Sequence, residues 1–283
     1  MFDIDASREL FLKLYPDREL CREIEGFVSS NKAVRLYYAL CRRGLWELFF
    51  KKDNFTKLSL VFLYLPTVKE NYGKKGISDK VFFDTLDDLR IWIDDCFERT
   101  GKKGLYEIHW LVLHLRMQIF KIGRLQYQLG RYRFKAYKGL SKGDRVLNIH
   151  IPRGEKLDYG ECVKSIDEAQ SFFKEFFPDY GSLFTCRSWL LFPDNRKFMK
   201  PDCNILRFSE LFEIVGENYL PEPAYLWIFG IKLTNAQLIA NMKAKGCYGY
   251  TENLPADTSL QRSAIKYING GGKLGEGEGV III

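Results

Sequence analysis

The chain has 283 residues, 46% of them apolar and 15% aromatic, and a formal net charge of +7. That much apolar material supports a folded core and excludes a disordered chain, and "LSLVFLYLP" is far too short to span a bilayer. Seven cysteines, an odd number without a CxxC pair, and no signal peptide at the N-terminus predict a reduced, cytoplasmic protein.

The first 120 or so residues read as helices. "SRELFLKLYP" and "CREIEGFVSSNKAVRLYYALCRRGLWELFF" place apolar residues at three- and four-residue spacing. "SDKVFFDTLDDLRIWIDDCFER" adds Ser78 as an N-cap and Asp79 in the first turn. "YEIHWLVLHLRMQIFKIG" is predicted as a further helix that stops at Gly123. The period then changes to two. "RLQYQLGRYRFKAY" alternates, and "RVLNIHIP" follows a Ser-Lys-Gly-Asp turn, so three strands in an antiparallel meander are expected.

"SIDEAQSFFKEFFPDY" reads as a helix that opens on the Ser165–Glu168 capping-box pattern and ends at Pro178. "SLFTCRSWLLF" is predicted as a strand, "CNILRFSELFEIV" as a short helix and "AYLWIFGI" as a strand. "NAQLIANMKAK" and "SLQRSAIKYING" read as helical, and "GEGEGVIII" as a last strand. A single helix between "RVLNIHIP" and "SLFTCRSWLL" implies that these two strands, if paired, run parallel through a right-handed crossover. The fold class is α+β, with an all-helical N-terminal domain over 1–122 and a mixed-sheet domain over 123–283.

Charge and metal-binding patterns narrow the function classes. From Gly101 to Lys142 there are ten Lys or Arg and a single acid, Glu107. A polyanion surface is one reading, but the apolar content of "YEIHWLVLHLRMQIF" assigns part of this run to the core, so nucleic acid is not the expected partner. His109 and His114 are five apart, not the four of a helical zinc pair, and no metal is assigned. "NGGGKLGEGEG" lacks GxxxxGK[ST] and is no P-loop. Its glycines are expected to end a helix and turn into the last strand, with a flexible lid as the alternative.

The order of elements resembles the GNAT superfamily of N-acyltransferases. The stretches "HWLVLHLRMQIFKIGRLQYQL", "LNIHIPRGEKL", "SFFKEFFPDY", "FTCRSWLLFP" and "SLQRSAIKYINGGG" resemble a bacterial acyltransferase-domain family that joins a helical N-terminal domain to a GNAT-like C-terminal domain. The resemblance implies an acyl-CoA-dependent N-acyltransferase acting on an unidentified amine acceptor. The alternative is a non-catalytic binding or regulatory protein that keeps the fold. It further implies that the pantetheine arm of CoA runs along the strand edge at Leu147, Ile149 and Ile151. The loop with Arg153, Gly154 and Lys156 would wrap the pyrophosphate, and Asn204 would touch the CoA arm, with a plain N-cap role as the alternative. The loop departs from the superfamily's [RQ]-x-x-G-x-[GA] pattern, since the chain reads Arg153-Gly154-Glu155-Lys156-Leu157-Asp158.

Amine acylation needs orientation, a proton acceptor and a donor to the leaving thiolate. His150, late in the candidate strand, titrates in the right range for the acceptor, with a structural histidine as the plainer alternative. Tyr219 is a candidate donor. Cys186 is expected to be a buried filler, and Arg187 and Arg207 are candidate anchors. A homodimer is compatible with the chain, and no membrane partner is expected.

Overall fold

The computed structural model describes residues 3–32, 34, 36, 38, 39, 50–180, 183–233, 251 and 254–282. Most of the predicted helical stretch 33–49 and "NAQLIANMKAK" lie outside them. The chain forms two compact units. One comprises Met1–Ile122 with Gln126–Gln128 and Ile151–Gly154, and the other Gly123–Leu125, Leu129–His150 and Glu155–Ile283.

The first unit is built on helices α1 (Ile4–Leu14), α2 (Arg18–Ser30), α3 (Asn54–Lys74), α4 (Asp79–Leu86), α5 (Asp88–Thr100) and α6 (Ile108–Leu115). The side chains of Asp3, Asp17, Asp53 and Ser78 accept backbone N–H groups at the starts of α1, α2, α3 and α4. Each cap satisfies donors that the helix itself leaves open and contributes about 1 kcal/mol. Phe11, Ile24, Phe62, Phe82 and Ile93 are fully buried, and Phe11 meets Phe62 edge-on at 5.7 Å. Buried Asp88 accepts from Trp110 Nε1 at 2.7 Å and from Gln126 Nε2 at 2.9 Å. Its carboxylate lies 3.2 Å from Nε2 of His114, itself fully buried, so this histidine belongs to a structural network.

The predicted helix does not reach Gly123. The helix ends at Leu115, Met117 takes a left-handed φ of 53°, and Ile119–Ile122 form strand β1. A short, mostly apolar run carries no period that separates helix from strand. The two-residue link Gly123–Arg124 then leads into β2 (Leu125–Arg131), a connection that only antiparallel neighbours allow. β2 stops at Arg131, short of the predicted "RYRFKAY". Tyr132 donates its N–H to Asp144 O and accepts from the N–H of Gly143, which closes the turn to β3 (Arg145–His150).

After β3 come α7 (Tyr159–Phe176), β4 (Leu183–Ser188), α8 (Asn204–Ser209), β5 (Glu213–Asn218), α9 (Glu222–Phe229), α10 (Ser259–Asn269) and β6 (Glu276–Ile282). Three expectations change. α7 opens at Tyr159 under the cap Asp158, six residues before the predicted box, and Ser165 is buried inside it, accepting the Leu125 N–H at 3.1 Å. In "LFEIV" the last three residues begin strand β5 rather than continue a helix. "AYLWIFGI" is helix α9, opened after Pro221 and closed by Gly230 at φ 72°. The capping box occurs instead at Thr258 and Gln261, at the head of α10.

The sheet order is β1-β2-β3-β4-β6-β5. β3 and β4 are parallel, joined through α7 as expected, while β6 is antiparallel to both β4 and β5. β3, β4 and β5 therefore end at the same edge of the sheet, where β6 begins. The glycine-rich tail forms a central strand and not a lid.

Candidate functional site

β6 pairs with β4 through six consecutive residue pairs, from Leu183–Ile282 to Ser188–Gly277. Among the described residues, the parallel register of β3 with β4 covers only Leu147–Phe184 and Asn148–Thr185. Both strands continue past it, β3 to His150 and β4 to Ser188. Thr185 donates its hydroxyl to Asn148 Oδ1 at the last pair of this ladder. The two parallel strands are thus joined at the middle of β3 and the first half of β4, and the ladder does not extend to their last residues.

Alternation and register assign the side chains at this edge. Asn148 pairs with Thr185 and Thr185 with Val280, so residues two along from each share their face: His150, Arg187 and Glu278, with Glu276 beyond. Arg187 bonds Glu278 and lies 5.4 Å over the Phe134 ring, which accounts for this predicted anchor. The opposite face carries Leu147, Ile149, Phe184 and Cys186, all buried. Burial pushes the Cys186 thiol up to about 12, so it carries no thiolate near neutrality and serves as filler.

Glu276 is a feature the sequence reading did not single out. It is half-buried, and desolvation pushes its carboxyl above the usual range, partly offset by Asn218 Nδ2 at 3.4 Å and by Arg187. The alternating glycines around it were the available signal, because glycine at every second position puts both glutamates on one face of a strand.

The loop after β3 is held from the inside. Arg124, 5% exposed, donates from Nε to Lys156 O at 2.7 Å and from Nη2 to Glu155 O at 2.8 Å. Asp158 accepts the Glu161 N–H at 3.0 Å and so fills one of the open amides at the head of α7. Arg207 of α8 stacks its guanidinium 4.8 Å over the ring of Tyr159, the first residue of α7. Leu147, Ile149, His150, Lys156 and Asn204 all lie in the second unit. Asn204 is the exposed first residue of α8. Cys203 holds the N-cap position, so Asn204 is no cap. Ile151, Arg153 and Gly154 belong to the first unit, where Arg153 Nη1 pairs with buried Asp95 at 3.3 Å. Gly154 takes φ 93°, a conformation suited to glycine.

Tyr219 follows strand β5 and not a helix. β3 and β5 are three strand steps apart, roughly 14 Å at about 4.8 Å per step, so Tyr219 and His150 are not brought together. The Tyr219 hydroxyl donates to Glu217 at 2.8 Å, a bond that holds its proton more tightly. The basic run of the sequence is also dispersed: Lys103 pairs with Asp17, Arg124 is buried, and Lys138 pairs with Glu213. Among the described residues no cluster of His, Cys, Asp and Glu is placed to hold a metal, and no helix is long and apolar enough to cross a membrane.

Residues 119–281 match the family described as the GNAT-like C-terminal domain, and residues 7–117 match the N-acyltransferase N-terminal domain. The first match alone covers more than half of the chain, and the chain belongs to this N-acyltransferase family. Among solved structures, an acyltransferase in complex with decanoyl-CoA and teicoplanin is 22% identical, with a TM-score of 0.65 over 80% of this chain and 66% of that one. An acyltransferase in complex with decanoyl-CoA gives 22%, 0.64, 80% and 65%, and one with CoA and 10C-teicoplanin 21%, 0.65, 80% and 66%. At such identity the likeness establishes the fold, and this chain spans just under two thirds of those chains. No curated protein matches it.

Proposed function

We propose that the second unit transfers an acyl group from acyl-CoA to an amine. The observation that carries this reading is the β3–β4 ladder, which stops at Asn148–Thr185 while both strands run on. A strand edge released from its parallel neighbour can pair with the amide groups of an extended pantetheine arm, here along Ile149 and His150, while Leu147 stays paired to Phe184 and Ile151 belongs to the first unit. The loop amides held outward by Arg124 lie at the far end of that edge, where the phosphates of CoA would follow, with Lys156 and Arg207 as cations beside them. The fit is one of backbone donors and cations, without the glycine pattern of the superfamily.

The chemistry asks little of the protein. The neutral amine nitrogen attacks the thioester carbonyl carbon, the C–S bond breaks, and an amide forms. The amine's N–H proton passes to His150, and the thiolate leaves to be protonated as CoA. His150 stands half-buried at the end of β3, on the face shared with Arg187 and Glu278. Tyr219 is not assigned the donor role, because the sheet order separates it from this edge of β3. A solved relative in fold binds teicoplanin, and the acceptor here is proposed to be a bulky amine-bearing molecule of that general chemistry.

The reading is tested by following free thiol released from decanoyl-CoA as a panel of amines is added. Amine-dependent release is expected. A protein that binds acyl-CoA but releases no thiol with any amine would be the non-catalytic relative instead.

A further inference from the structure

We propose that Arg124 is a positioning residue that sets the phosphate-facing loop for binding. The inference rests on the acyl-CoA reading above and names the residue that prepares one part of that site. Arg124 sits in the two-residue turn between β1 and β2 and is almost wholly removed from water. A guanidinium is rarely buried to this degree unless its donors are used. Two of them grip successive carbonyls, Glu155 O and Lys156 O, some thirty residues away in sequence.

The grip has a directional consequence. The chain has no cis peptide bonds among its described residues. In a trans peptide the C=O of one residue and the N–H of the next point to opposite sides. With both carbonyls turned toward Arg124, the N–H groups of Lys156 and Leu157 point away from it. Neither amide donates to a protein acceptor among the described residues. Two adjacent backbone donors aimed outward suit an anion. The head of α7 is less available, since Asp158 already takes the Glu161 N–H. The geometry therefore places the phosphate-binding donors one turn ahead of the helix, in a loop whose shape Arg124 holds. Arg207, stacked on Tyr159, brings a further cation to the same place.

The test separates phosphate recognition from general stability. Affinities for decanoyl-CoA and for decanoyl-pantetheine, which lacks the pyrophosphate, are measured by calorimetry for the native protein and for Arg124→Met and Arg124→Lys. Arg124→Met is expected to weaken decanoyl-CoA binding about tenfold or more and to leave decanoyl-pantetheine within about twofold. Arg124→Lys, a point charge without the planar fork, is expected to recover only part of the loss. Should Arg124→Met fail to fold, Arg124→Lys carries the same comparison. Equal weakening of both ligands, or no change in either, overturns the proposal. A native protein that binds neither ligand overturns the acyl-CoA reading itself, and this inference with it.

Discussion

His150→Gln is expected to slow acyl transfer by about a hundredfold or more while leaving acyl-CoA affinity within about twofold, because a positioned general base contributes about 10²–10⁴ in rate. The side chain projects from the last residue of β3, past the end of the parallel ladder, and the CoA contacts proposed here are made by the strand backbone and the loop. Binding and turnover therefore separate in this variant. A base acts only in its unprotonated form, so the native rate falls as pH drops, and the variant that lacks the base loses that limb.

Glu276, on the same face of the sheet, is the residue that competes with His150 as the proposed proton acceptor. Its carboxyl is raised by desolvation, so the fold favours the protonated form. The charged form then lowers stability as pH rises above the unfolded carboxylate value. Glu276→Gln is accordingly expected to stabilise the protein at neutral pH, with the gain vanishing toward about pH 4, where the carboxyl is protonated in both states. If Glu276→Gln removes the pH limb of the rate and His150→Gln does not, the base is Glu276.

Gly277→Ala is expected to destabilise the fold by about 3 kcal/mol or more, read as loss of soluble protein or a fall of several degrees in Tm. A Cβ at this position would lie 2.1 Å from Leu191 O and 2.5 Å from Leu191 C. Those are backbone atoms of the turn at Trp189–Leu191, which packs directly on β6, so no side-chain rotation relieves the clash. β6 is bonded on both sides, to β4 and β5, and cannot shift without breaking one ladder. The same substitution at Gly26, mid-helix with nothing within 4 Å, is expected to have the opposite sign and stabilise by about 0.5–1 kcal/mol.

The first strand of the site was legible because it alternates. "LNIHI" carries a period of two, and the single helix between it and "LFTCRS" implied the parallel crossover that is found. "AYLWIFGI" and "LFEIV" were misread for a common reason: short apolar runs fit both periods, and Pro221 before one and the register against β6 beside the other decide the outcome. Tertiary contacts, not local pattern, select between them. The end of the β3–β4 ladder is implied only by the resemblance and not by the residues themselves, since it depends on two strands 37 residues apart parting after two pairs. Arg124 was visible only as one cation in a basic run. Its burial and its grip on Glu155 and Lys156 arise from a turn and a loop that meet only in the folded chain.

The central claim is that the strand edge beyond Asn148 receives the arm of an acyl-CoA, and a crystal of the protein grown with decanoyl-CoA tests it most directly. The account predicts a ladder between pantetheine and the backbone at Ile149 and His150, with the pyrophosphate on the amides of Lys156 and Leu157. CoA bound elsewhere, or β3 and β4 paired through His150 and Arg187 with no ligand between them, would contradict it.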